Sequence, residues 1–130
     1  MLKFHHVGCL VESIDESIGI YKNLFAIKNI SDKIYIASQG VYVCFVQMGN
    51  NEFIELVEPK DEDSVVHRLK QKGFSYYHIG YLVGDIDKTI NDLEDKHFKL
   101  LNTFYSEAFQ MKKCAFLFSP ETHLIELIQE

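Results

Sequence analysis

A chain of 130 residues, 47% hydrophobic and 13% aromatic, can fill one shared core, and a single domain over residues 1–130 is expected. Its net charge of −6 and lone arginine, Arg68, leave little to neutralise a phosphate backbone, which argues against a nucleic-acid partner. No apolar run approaches the roughly 20 residues that span a bilayer, the first residues lack a basic segment and an apolar signal core, and Cys9, Cys44 and Cys114 read as buried free thiols. No membrane partner and a cytoplasmic location are therefore expected.

Residues 3–11 are apolar or aromatic on both alternating faces and predict a strand, with Phe4, His6, Gly8 and Leu10 on one side. Ser13-Ile14-Asp15-Glu16 is a capping box, in which the Ser13 hydroxyl and Glu16 carboxylate each satisfy a free amide at a helix start. Ile14, Ile18, Tyr21 and Phe25 then form one apolar stripe along that helix. Residues 34–37 and 41–47 read as strands joined by a Ser38-Gln39-Gly40 turn, and Gly49-Asn50-Asn51 turns the chain into a strand over 53–58. Pro59 and the charged run 60–63 make a connection to a short helix over 64–72, ended by Gly73 as a left-handed cap. A strand over 74–83 and a helix capped by Asp85 follow, with Ile86, Ile90 and Leu93 as its stripe. Strands are expected at 98–103, 113–118 and 122–129. Residues 104–111, rich in aromatics, read as a long binding-type loop.

This order is one pattern written twice. The stretch 4–18 returns as 76–90, and at an offset of 78 − 6 = 72 His6 falls on His78, Gly8 on Gly80, Leu10 on Leu82 and Asp15 on Asp87. Ile54-Glu55-Leu56 returns as Ile125-Glu126-Leu127, at 126 − 55 = 71. Two copies are too few for a solenoid, which needs about three to bury its faces. Two β-α-β-β-β modules, about 1–62 and 73–130, pairing into one α+β unit are expected.

Glu126 shares a strand face with Leu124 and Ile128, and Glu55 lies between Phe53 and Val57 in the same way. An unpaired charge at either place is expensive and must find a partner, a proton or a cation. His6 and His78 also sit inside apolar strands. A pseudo-twofold relation between the halves would bring His6, Glu55, His78 and Glu126 to one point, a mixed nitrogen and oxygen set suited to zinc, nickel, cobalt, manganese or ferrous iron. His5, by strand alternation, points to the opposite face from His6 and reads as structural or solvated.

These residues resemble the vicinal oxygen chelate superfamily, which includes glyoxalases, methylmalonyl-CoA epimerases, extradiol dioxygenases and bleomycin or fosfomycin resistance proteins. The marks are His6-Val-Gly before Leu-Val and a capped helix, Gly49-Asn50 leading into Ile54-Glu-Leu, His78-Ile-Gly, and Ile125-Glu-Leu. Epimerase-like members look most similar, through Gln39-Gly-Val-Tyr-Val-Cys-Phe-Val and Phe53-Ile-Glu-Leu-Val-Glu-Pro. The resemblance implies one cupped, barrel-like mixed sheet with helices outside and a divalent metal ion held by His6, Glu55, His78 and Glu126. It implies an enzyme of glyoxalase or epimerase type that transfers a proton next to a carbonyl through a metal-chelated enolate or enediolate. Glu126, with Glu55 as its symmetry mate, is the expected base, its proton affinity raised by burial. A further glutamate of some epimerases falls here on Val43. A small-molecule substrate and a homodimer are implied by analogy. Tyr42, Phe45, Phe104, Phe109, Phe116 and Lys112 are the candidate pocket residues. The alternative is a non-catalytic binding or resistance-type protein that uses the same cup.

Overall fold

A computed structural model describes residues 1–130. β1 (Lys3–Leu10) leads to α1 (Ile14–Leu24), then β2 (Asn29–Ile30), β3 (Ile34–Ile36), β4 (Val41–Gln47) and β5 (Phe53–Pro59). After α2 (Val65–Gln71), which ends at Gly73 with φ of 92°, come β6 (Tyr76–Val83), α3 (Ile86–Glu94), β7 (Lys99–Ser106), β8 (Lys112–Ser119) and β9 (His123–Gln129). The fold is α+β, with all nine strands in one mixed sheet of order β2-β4-β5-β1-β6-β9-β8-β7 and β3 also on β4. β1 runs parallel to β5 and β6 parallel to β9, while β1 and β6 pair antiparallel at the centre, so the two β-α-β-β-β patterns meet there.

The sheet is an open cup. No ladder joins β3 to β7, but the Glu107 carboxylate accepts a hydrogen bond from the Ala37 amide (3.0 Å), tying the tight turn after β3 to the one after β7. Alternation divides each strand between the two sides of the sheet. Cys44, Val46 and Leu56 pack with Ile14 under α1, and Ala115, Leu117, Ile125 and Leu127 pack with Ile86 and Ile90 under α3. The other set, with Val41, Val43, Val57 and Phe116, lines the concave side.

Several expectations change in detail. The strand expected over 34–37 is β3, and a further short strand that was not expected, β2, precedes it; both pair with β4. Between them Ser31 donates its amide to the Phe45 carbonyl (2.9 Å), and its hydroxyl accepts from the Phe45 amide (2.8 Å), so a side chain interrupts the ladder. At α1, Ser13 Oγ accepts from the Glu16 amide (3.2 Å), but the reciprocal bond of the capping box is not formed. The Ile14 amide instead donates to Glu58 Oε1 (2.7 Å), at the end of β5. α3 repeats the device: Asp85 accepts from the Lys88 amide (3.1 Å) and Gln129 Oε1 from the Ile86 amide (2.9 Å). Since 129 − 58 = 71, the cap follows the same repeat as Glu55 and Glu126.

Residues 104–111 are not a long loop. β7 continues through Ser106, followed by a 3-10 turn at Glu107–Phe109 and two residues, Gln110 and Met111, with φ of 56° and 60°. Phe104 and Ser106 are buried while Tyr105 faces solvent, an alternation that pairs with β8 through Phe104↔Cys114 and Tyr105↔Lys113. The turn matches the one at Ala37–Gln39, where Gly40 takes the left-handed position with φ of 63°.

Candidate metal centre

The site is built at the β1–β6 ladder. His6 stands opposite Gly80 and His78 opposite Gly8, so each half's His-x-Gly meets the other half's in antiparallel register. The parallel ladders add Gly8↔Glu55 and Gly80↔Glu126. Each glycine therefore lies between a glutamate on one side and a histidine on the other. A Cβ on Gly8 would come within 2.6 Å of the His78 ring, and one on Gly80 would overlap the His6 ring. Both glycines make room for an imidazole folded over the strand.

The outcome is a tight cluster on the concave side. His6 Nε2 lies 2.9 Å from His78 Nε2, 3.2 Å from Glu126 Oε1 and 3.5 Å from Glu55 Oε1. His78 Nε2 lies 3.2 Å from Glu55 Oε1 and 3.4 Å from Glu126 Oε1. All four donor atoms lie within 4.8 Å of one another, and no residue of the four is more than 4% exposed. Two carboxylates at that depth need a compensating positive charge. Burial opposes a charge on His78, yet the Glu126 and Glu55 carboxylates outweigh it and hold its pKa up at about 9. Burial would raise the Glu126 pKa, as expected from its apolar neighbours, but the imidazoles of His6 and His78 reverse the sign and hold it well below the usual carboxylate range.

A divalent ion would supply the same compensation. Bonds of about 2.0–2.2 Å to nitrogen and oxygen place neighbouring donors about 3 Å apart at right angles and about 3.5 Å apart at tetrahedral angles. The separations of 2.9, 3.2, 3.4 and 3.5 Å fit that range. Glu126 Oε1 and His78 Nδ1 are also buried without a hydrogen-bond partner, and the former points into the cluster. The group could hold a metal ion.

Beside it runs a recess lined by Ile36, Gln39, Val41, Val43, Val57, Tyr77, Phe104 and Phe116 together with Glu55, His78 and Glu126. Phe116 lies 5.2 Å from the His78 ring, and Phe104 stacks on Phe116 at 5.5 Å. Phe45 and Phe109 flank the other side, 5.7 and 6.2 Å from His6. Lys112 is not among these groups; it borders a separate, wider hollow with Leu82, Phe109 and Ile128. Tyr42 is also elsewhere. Alternation on β4 sends it to the α1 side, where it packs on Tyr35 (5.0 Å) with Lys33 over its ring.

Two residues at the site escape a sequence reading. β1 and β6 each carry a bulge: the register steps from Phe4↔Tyr81 to His6↔Gly80 and from Gly8↔His78 to Cys9↔Tyr76, leaving His5 and Tyr77 as the extra residues. The bulge breaks alternation, so His5 does not turn away from His6. Its ring lies 5.2 Å from the His6 ring with Nδ1 2.9 Å from His6 Nδ1, and burial, with His6 next, lowers its pKa to about 4. Tyr77 packs on His78 at 4.7 Å, and burial, with Glu126 and Glu55 nearby, pushes its pKa up. The only signal was positional: 77 − 5 = 72, each preceding a repeated histidine.

Residues 5–129 match the family model of the Glyoxalase/Bleomycin resistance protein/Dioxygenase superfamily. The chain belongs to that superfamily. A member from Bacillus subtilis, the uncharacterized protein YqjC, is 32% identical over 99% of this chain and 93% of its own. The mitochondrial methylmalonyl-CoA epimerase of Dictyostelium discoideum is 28% identical over 77% of this chain and 60% of that protein. A methylmalonyl-CoA epimerase variant from Streptomyces coelicolor, solved in complex with 2-nitronate-propionyl-CoA, shares the fold with a TM-score of 0.84 at 23% identity, covering 100% of this chain and 96% of that one. Proteins of the superfamily bind small molecules, and the concave side of the sheet offers this chain a place to do so. No helix is long and apolar enough to cross a membrane.

Proposed function

We propose that this superfamily member is a divalent-metal-dependent enzyme of the glyoxalase or epimerase type, moving a proton on carbon next to a carbonyl. The observation that carries this reading is the convergence of His6, Glu55, His78 and Glu126 beside an apolar recess. A divalent ion held by the four would act as a Lewis acid toward two neighbouring substrate oxygens, stabilising charge as it builds on the carbonyl.

The chain's own residues would do the rest. His6 and His78 lend neutral Nε2 atoms, while Glu55 and Glu126 balance the charge. Glu126 is the proposed base, with Glu55 as its symmetry mate, because both carboxylates line the recess. It would take the proton from the substrate carbon and return it. Val43, at the position of the additional epimerase glutamate, presents an apolar wall, which favours a one-base shift of the glyoxalase type over two-base epimerisation. The recess contains no lysine or arginine, so apart from the ion and the His78 imidazole nothing lining it would pair with a negative charge on the substrate. The same proposal takes the protein as a single domain, a cytoplasmic homodimer that acts on a small molecule.

The test is proton exchange in heavy water, followed by NMR, with nickel, cobalt, manganese or zinc added and with 2-oxoaldehyde thiol adducts or 2-substituted acyl thioesters as substrates. Metal-dependent loss of the α-proton signal, abolished in Glu126→Gln, is expected. Binding of these compounds without exchange would contradict catalysis and leave a binding protein.

A further inference from the structure

We infer that His5 is a positioning residue that fixes the His6 imidazole in the tautomer able to ligate metal; the inference rests on the metal reading above. His5 is the extra residue of the β1 bulge, which carries its ring to the His6 side of the strand. There it stacks on Phe53 at 4.8 Å and 20°, with Phe45 and Phe109 at its edges (5.8 and 5.4 Å). Three aromatic rings hold one orientation, and that orientation puts His5 Nδ1 2.9 Å from His6 Nδ1.

Two nitrogens at that distance share one proton. His6 Nε2 faces His78 Nε2 and both carboxylate oxygens. To offer a lone pair there, a neutral His6 must carry its proton on Nδ1 and donate it outward. His5 Nδ1 is the acceptor, so His5 keeps its own proton on Nε2. Such outer partners set ring orientation and raise ligand basicity. The other half lacks the device: Tyr77 fills the equivalent bulge position, and His78 Nδ1 has no hydrogen-bond partner. The outer nitrogens of the two histidines of a doubled site are thus held unequally, His6 Nδ1 by a hydrogen bond and His78 Nδ1 by none.

The test uses zinc affinity, by competition with a chelating dye, and proton NMR of the zinc-loaded protein. Wild type should show a His6 Nδ1 proton that exchanges slowly and couples to His5 Nδ1. His5→Phe keeps the stacking but cannot accept, and should lose about 10- to 100-fold in zinc affinity along with that proton's protection. His5→Asn, whose amide oxygen falls near the place of Nδ1, should recover most of both. Wild-type affinity and a protected His6 proton in His5→Phe would overturn the inference alone, as would a zinc-loaded wild type whose His6 Nδ1 proton is not bonded to His5. Failure of wild type to bind zinc, nickel, cobalt or manganese would overturn the metal reading itself and this inference with it.

Discussion

Gly80 lies directly across the β1–β6 ladder from His6, and a methyl group on it would overlap the imidazole. Gly8 stands in the same relation to His78, less tightly, at 2.6 Å. The His-x-Gly spacing of each repeat follows from this geometry: in antiparallel register, the residue two places after each histidine receives the other.

Gly80→Ala should therefore displace His6 and cost about 1–3 kcal/mol through overpacking, with loss of metal affinity. Gly8→Ala should follow with a smaller effect. Gly19→Ala is the control: it lies inside α1 with nothing within 4 Å of the added carbon, so it should stabilise by up to about 1 kcal/mol. Urea unfolding of the three variants separates these outcomes.

The stability of metal-free protein should depend on pH through the same cluster. His78, raised from 6.5 to about 9, contributes fully below 6.5 and loses its contribution as pH rises through about 9. Glu126, lowered from 4.5, contributes fully above 4.5 and loses it as pH falls through its depressed value. The cluster's contribution is therefore largest between about 4.5 and 6.5. Melting temperatures of the metal-free protein should fall from pH 6.5 to 9, and the His78 part of that slope should vanish in His78→Gln.

Metal binding should release protons. At pH 7 the metal-free His78 is protonated, whereas a ligand must be neutral, so zinc affinity should rise with pH until about 9. Calorimetry in buffers of different ionisation enthalpy counts the protons released; none at pH 7 would contradict a site that uses His78.

Glu58 and Gln129 hold the first amides of α1 and α3 from the ends of β5 and β9. Glu58→Leu should cost about 1–3 kcal/mol by leaving the Ile14 amide without a partner. Glu58→Gln should cost less, because Gln129 already does this task with an amide oxygen. Thermal melts of the two variants decide the point.

The architecture was legible because Ile-Glu-Leu and His-x-Gly are doubled at nearly constant offsets, and strand alternation alone places Glu55 beside Val57 and Glu126 beside Ile128 on the concave side. What escaped had local causes. His5 and Tyr77 sit at bulges, which one strand's sequence does not reveal, because a bulge is a mismatch between two strands. Tyr42 shares its aromatic character with the recess residues, but counting by twos from Val41 and Val43 sends it to the α1 side. Residues 104–111 read as a loop because they are rich in aromatics that look exposed, yet Phe104 and Ser106 alternate inward. The direction of the Glu126 pKa required knowing that two imidazoles arrive from the other strands.

The measurement that bears most directly on the central claim is the metal content of protein purified without a histidine tag, by elemental mass spectrometry, for wild type, His6→Ala, His78→Ala and Glu126→Ala. The account predicts one divalent ion per chain in wild type and loss of it in all three variants with the fold retained. A wild type that holds no metal and takes up none from nickel, cobalt, manganese or zinc would contradict it, as would unchanged metal content in Glu126→Ala.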